Sequence, residues 1–254
     1  MFFSLLSISI VPEQLWKING MPITNSLFTT WIDMGIIILL AVIGMRGKNL
    51  VPKGVQLVFE AVYQFFLNLC ESVLEQKELA EKAVPFITTI FVFVFVGNLT
   101  GLIPGVGSIG FFEGGEEFTP LLRAPTSDLN TTIALALISV ITTQVVGFKV
   151  LGIGYLKKFF NFANPVHFFV GILELISEFT RIISFSFRLF GNIFAGEVLL
   201  VVIGMLIPAF LPIPFYGLEL FVALIQAFVF AMLTLVFIKL SMTSHHAETH
   251  ESRH

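Results

Sequence analysis

The 41 positions from His167 to Ile207 form a mainly apolar stretch without proline, into which Glu174, Glu178, Arg181, Arg188 and Glu197 are set. At a helical rise of ~1.5 Å per residue this stretch is roughly 60 Å long, twice the ~30 Å hydrocarbon thickness of a bilayer. Such a helix must be steeply tilted, bent or broken, and a tilted helix exposes one flank along a contact suited to sliding past a partner. The rest of the composition fits a bilayer. Of 254 residues, 56% are apolar and 12% charged, and mean hydropathy is +0.93, where soluble domains carry about 25% charged residues. The formal net charge of −3 argues against a basic nucleic-acid-binding surface. Cys70 is the single cysteine, so an intramolecular disulfide is impossible.

The chain is therefore expected to be an all-α polytopic membrane protein forming a single membrane domain. About five membrane-embedded helices are expected beside an interfacial amphipathic helix, the last two long, tilted and hairpin-like. An outer N-terminal segment covers 1–26; its start, Met1 to Val11, has neither the basic flank nor the cleavage site of a secretory signal and reads as interfacial. The first span covers 27–45 and stops at a basic loop, Arg46, Lys48 and Lys53. Over 54–82, Val55, Val58, Val62, Phe65, Phe66, Leu69 and Val73 recur at helical spacing against Glu60, Gln64, Glu71 and Glu75, which predicts the interfacial helix. The second span is 84–103. Residues 105–125, rich in turn formers and carrying Glu113, Glu116 and Glu117, form a loop or hairpin outside the bilayer. Asp128 or Ser127 caps a third span over 129–148. The long hairpin occupies 167–240, interrupted by PAFLPIP, and 241–254 is a polar, His-rich tail. Placing the 46–83 connection in the cytoplasm puts most basic residues inside and only Lys17 and Arg123 outside. The N-terminus and the acidic loop then face outward and the tail inward.

On a helical wheel Glu174, Glu178, Arg181, Arg188 and Asn192 share a stripe about 80° wide, and Glu197 lies roughly opposite Arg188. In the partner segment Glu219 and Gln226 are seven residues apart, on about the same face. A carboxylate can pass a proton, whereas an amide only orients water or braces an arginine. An arginine at the bilayer centre costs roughly 2.5 to 17 kcal/mol and is read as functional by default. Because Arg keeps its proton at any accessible pH, Arg188 is a fixed positive charge. Between two dead-end aqueous pockets it would repel a leaking proton and attract a carboxylate carried past on a neighbouring subunit. Glu174 and Glu178 on one side, and Glu197 and Glu219 on the other, sketch two such offset pockets.

The stretch FRLFGNIFAGE (187–197) resembles the signature of subunit a of F-type ATP synthases. PTSDLNTT (125–132) and LIQAFVFAMLT (224–234) agree with it, and the order of elements agrees from Leu27 to Met242. The resemblance implies that Arg188 is the stator arginine facing the carboxylate of the c-ring, with Asn192 and Gln226 at family positions around it. It implies that Glu197 is the outer half-channel acid and Glu174 a polar position of the inner one. At the Glu219 position some members carry a histidine paired with a glutamate at the Glu197 position, and others exchange the two; here both are Glu. Mitochondrial relatives tend to have histidine at the Glu197 position, so the resemblance implies a bacterial plasma-membrane protein, with the mitochondrial inner membrane as the alternative. Implied partners are the c-ring, the peripheral-stalk b subunits and lipid. No cofactor or metal is implied, the subunit is non-catalytic in itself, and no Walker-type sequence for a nucleotide is present.

Several residues have plainer roles open to them. Arg181 can pair with Glu178 or Glu174, Asp128 can be a helix cap rather than a proton site, and Ser177 and Ser184 can back-bond to their own helix. Gly191 and Gly196 can admit another helix, either the rotor or one of this chain. The tail histidines read as solvated rather than metal-binding. The alternative function is a self-contained ion channel or secondary transporter, against which the lack of internal repeats speaks.

Overall fold

The computed structural model describes residues 12–18, 20–46, 54–103, 105–106, 109–113, 117–152, 154–155, 159, 165–207 and 210–242. The interfacial start at Met1 to Val11, the basic loop residues Lys48 and Lys53, and the His-rich tail lie outside them.

Six helices carry the fold: α1 (Asn25–Arg46), α2 (Val55–Leu74), α3 (Lys77–Leu102), α4 (Leu129–Leu151), α5 (Pro165–Leu206) and α6 (Pro212–Met242). All six are long and apolar enough to cross a membrane, so the all-α polytopic class expected from sequence is the one observed. Two short antiparallel hairpins accompany them. β1 (Gln14–Ile18) pairs with β2 (Met21–Thr24) just before α1, and β3 (Gly110–Glu113) pairs with β4 (Glu117–Pro120) between α3 and α4.

Local chemistry sets the helix ends. α5 and α6 both begin at proline, whose missing N–H costs nothing in the first turn. Asp128 caps α4, its Oδ1 accepting from the Asn130 backbone N–H at 2.9 Å. α2 stops at Glu75, which adopts the left-handed conformation and returns its N–H to the Glu71 carbonyl. Glu75 is then held to Lys239 of α6 at 2.6 Å, and that hydrogen bond pulls its carboxyl below the ordinary range. Along α2 the polar residues Glu60, Gln64 and Asn68 are exposed, while Phe66, Cys70 and Leu74 are buried, which makes it the amphipathic helix of the set.

α6 is the centre of the packing. Ala223, Ala227 and Ala231 repeat every fourth residue and are fully buried. Such a stripe of small side chains lets helices approach closely where lipid offers no hydrophobic driving force. Around its far end Phe66, Cys70, Val84, Ile87, Leu235 and Ile238 join α2, α3 and α6. Nearer the start of α6, Ile90, Val94, Ala136, Phe185, Leu189 and Phe230 join α3, α4, α5 and α6. α5 runs unbroken for 42 residues, and one flank leaves Val166, Phe169, Phe179 and Phe187 exposed.

Candidate functional site

Arg188 stands on the exposed flank of α5. Its Nη2 donates to Ser184 Oγ one turn earlier at a long 3.5 Å, and among the described residues no carboxylate lies within ion-pair distance. Arg181, two turns before it, is spent within the chain. Its Nη1 donates to both oxygens of Glu178 at 2.8 Å, and its guanidinium lies 3.9 Å over the Phe237 ring. Glu174 is half-buried and engaged in contacts of its own. Between α5 and α6 a groove of about 480 Å³ runs along this face, lined by Ser177, Thr180, Arg181, Ser184, Arg188 and Phe237 among others. Tyr155 sits close to the same acids. Its hydroxyl donates to Gln144 Oε1 at 2.6 Å, and its phenol is pushed up to about 12, first by burial and then by the charge of Glu178.

Beyond Arg188 the helices α5 and α6 meet through polar groups. Asn192 Nδ2 donates to Gln226 Oε1 at 2.7 Å, and Gln226 is buried with its Nε2 unpartnered. One helical turn further along α5, Gly196 is buried against Glu219; a Cβ at 196 would collide with that carboxylate. Glu219 is itself only 6% exposed. Glu197 follows Gly196, and its Oε2 is buried without a hydrogen-bond partner. Of the two glycines in the motif, Gly196 therefore serves packing inside the chain, while Gly191 faces open space.

Asp128 belongs to a third group. Besides capping α4, it accepts from Ser26 Oγ at 2.6 Å across 102 residues of sequence. Around it a buried polar layer joins α1, α3, α4, α5 and α6. Thr132 and Ser186 hydroxyls meet at 3.1 Å, tying α4 to α5 two residues before Arg188. Arg123 bonds Thr29 Oγ1 through its backbone N–H and Ser127 Oγ through Nε. Asn98 donates to the Ala223 carbonyl, and Thr100 meets Asp33 at 2.7 Å.

Sequence reasoning passes over Ser26, Asp33, Asn98, Thr100, Thr132, Ser186 and Tyr155. Asp33 carried the one usable signal, an ionisable residue inside an apolar span. Tyr155 bonds Gln144 only 11 residues away, and the rest are neutral and unremarkable until folding brings together positions 54 to 125 residues apart.

The fold and its buried groups define a polytopic helical membrane protein that carries ionisable residues within the bilayer. The family model for the ATP synthase A chain matches residues 27–239, and the chain belongs to that family. It is a multi-pass, membrane-sector subunit of ATP synthase, with a part in ATP synthesis and proton transport.

Proposed function

We propose that this subunit forms two offset half-channels against a c-ring, with Arg188 as the fixed charge between them. Protons enter from the outer side near Glu197, Glu219 and Asp128 and load the rotor carboxylate, with Asn192 and Gln226 bracing the passage. Rotation carries the neutralised site through lipid, and the proton leaves through the groove beside Ser177 and Ser184, near Glu174 and Glu178. The N-terminus faces outward and the C-terminus the cytoplasm of a bacterium, with peripheral-stalk b subunits as further partners.

The observation that carries this scheme is the contrast between the two arginines. Arg181 is neutralised by Glu178, whereas Arg188 projects from an exposed flank, its one polar contact among the described residues a long one to Ser184. A bare guanidinium facing hydrocarbon is too costly to be the working state, so its counter-charge comes from another chain. A carboxylate passing on a rotor is such a partner, and one that binds without staying.

ATP-driven acidification of inverted vesicles, compared for wild type and Arg188→Ala at matched assembly, tests the scheme. Pumping is expected to vanish in the variant, and passive proton leak after removal of the catalytic head is expected to rise. Coupled pumping without Arg188 would reduce it to a structural stitch. Proton conduction by the purified subunit alone would favour a self-contained channel.

A further inference from the structure

Asp33 is a carboxylate that the scheme above leaves unused. It lies on the first membrane helix, about 12 Å along α1 from Asn25, and is fully buried. It shares an arc of about 100° with Asn25, Ser26 and Thr29, all buried and all polar on a mainly apolar helix. The charged residues held along this face are Asp128, bonded to Ser26, Arg123, whose backbone meets Thr29, and Glu13, whose carbonyl accepts from the Asn25 backbone N–H. Where α2 meets α1, at Gly44, the neighbour is Phe59. From α3 Asp33 receives Thr100, and its Oδ2 borders Gly97, which Pro125 and Thr126 of the turn before α4 also border. Among the described residues no charged side chain is hydrogen-bonded or ion-paired with it.

Two details go beyond burial. First, Thr100 Oγ1 lies 2.7 Å from Asp33 Oδ1 and 3.1 Å from the Val96 carbonyl. A threonine hydroxyl has one hydrogen, and given fully to one acceptor it is not available to the other. When Thr100 back-bonds to Val96, the hydrogen in the shorter contact must come from the Asp33 carboxyl. Second, Asp33 Oδ2 is buried without a partner, and so is Thr126 Oγ1. Both residues border Gly97: a Cβ there would have Asp33 Oδ2 and Thr126 Cγ2 each at 3.8 Å. Buried oxygens of this kind are normally satisfied by a proton or by a bound water.

We propose that Asp33 is a further proton-holding carboxyl on the outer side of this subunit, with Thr100 as its hydroxyl partner and Thr126 serving its second oxygen. It exchanges protons with the Asp128 layer along the polar face of α1. The step is a proton transfer only. Hydronium gives up one O–H bond to the Asp33 carboxylate, leaving water and a neutral carboxyl, and the reverse step returns the proton. The link to pumping rests on the half-channel scheme, but the presence of the proton does not.

Infrared spectroscopy of the whole synthase in vesicles, with hydrogen–deuterium exchange, reads the site directly. Beyond the protonated carboxyls of the rotor, wild type is expected to show one further protonated-carboxyl band, seen as a loss in the difference against Asp33→Asn and shifted in frequency in Thr126→Val. In assays of ATP synthesis driven by an imposed proton gradient, at matched assembly, both variants are expected to need several-fold higher proton concentration on the outer side, with no rescue by Na⁺. A band that persists in Asp33→Asn, or rescue by Na⁺, overturns the proposal; rescue would identify a metal-cation site instead. Should Asp33→Asn fail to assemble, the frequency in Thr126→Val decides, and an unshifted band counts against the site. If Arg188→Ala still pumps, the half-channel scheme falls while the Asp33 band stands. If the band is missing but Arg188→Ala abolishes pumping, only the Asp33 assignment falls.

Discussion

The carboxylate of Glu219 fills the volume that any side chain at position 196 would need. This contact links a sequence detail to a chemical one, because glycine is the residue that lets a buried acid of α6 rest against α5 beside Glu197. Gly196→Ala must push Glu219 aside, and overpacking of this kind costs about 1–3 kcal/mol. The expected result is a synthase that assembles in reduced yield and pumps several-fold more slowly. Shortening the acid in the double variant Gly196→Ala, Glu219→Asp is expected to recover part of both losses. Initial rates of vesicle acidification and the yield of intact complex measure the two effects. Equal losses in the single and double variants would mean that the Gly196 contact does not govern the acid. Gly191 faces open space and provides the control for packing inside the chain, since among the described residues alanine there meets nothing.

Among the elements, α4 concentrates two roles in the residue that caps it. Asp128 accepts from Asn130 N–H as a cap and from Ser26 Oγ as a link to α1, and the half-channel scheme asks it to carry a proton as well. Substitution separates these demands. Asp128→Asn keeps an oxygen that can cap the helix, whereas Asp128→Ala removes it and is expected to cost about 0.5–2 kcal/mol of stability. Thermal unfolding of the purified complex should therefore be lowered in Asp128→Ala and little changed in Asp128→Asn. Pumping should fall in both if the carboxyl carries protons. A fully active Asp128→Asn would leave Asp128 a cap alone. The cap was legible in the sequence because its partner is two residues away. The link to Ser26 was not, because no local pattern relates residues 102 apart. The same distinction runs through the fold. Hydropathy and length foretell an all-helical membrane protein, and the i,i+3 spacing of Glu178 and Arg181 foretells their pairing. The hairpin at Gln14–Thr24 depends on pairing that the short apolar and polar alternation there does not announce. The polar layer of Ser26, Thr100, Thr132 and Ser186 depends on which faces of four helices meet, and neutral hydroxyls leave no charge signal to read.

At the scale of the whole molecule, α6 is wrapped by α2, α3, α4 and α5, while α5 is packed on one side and bare on the other. The buried side of α5 carries Phe185, Ser186, Leu189, Ile193 and Gly196. Its bare flank carries Arg188 among large apolar side chains such as Phe179 and Phe187. A charge on that flank can be reached in two ways, by a partner sliding across the apolar surface or by water entering the groove lined by Ser177 and Ser184. These routes predict different chemistry at neighbouring positions. Cys70 is the only native thiol and is buried, so single cysteines can be placed with little background. Cysteine at Ser177 or Ser184 is expected to react with a membrane-impermeant thiol reagent applied from the cytoplasmic side, and cysteine at Phe179 or Phe187 is expected to resist it. Cysteine at Phe187 should instead form a crosslink with a cysteine on the outward face of a c subunit under oxidising conditions. Equal labelling at all four positions would mean that the groove is not a separate aqueous path. Labelling of Ser177 from the outer side would reverse the assigned orientation, because α5 would then begin at the opposite surface.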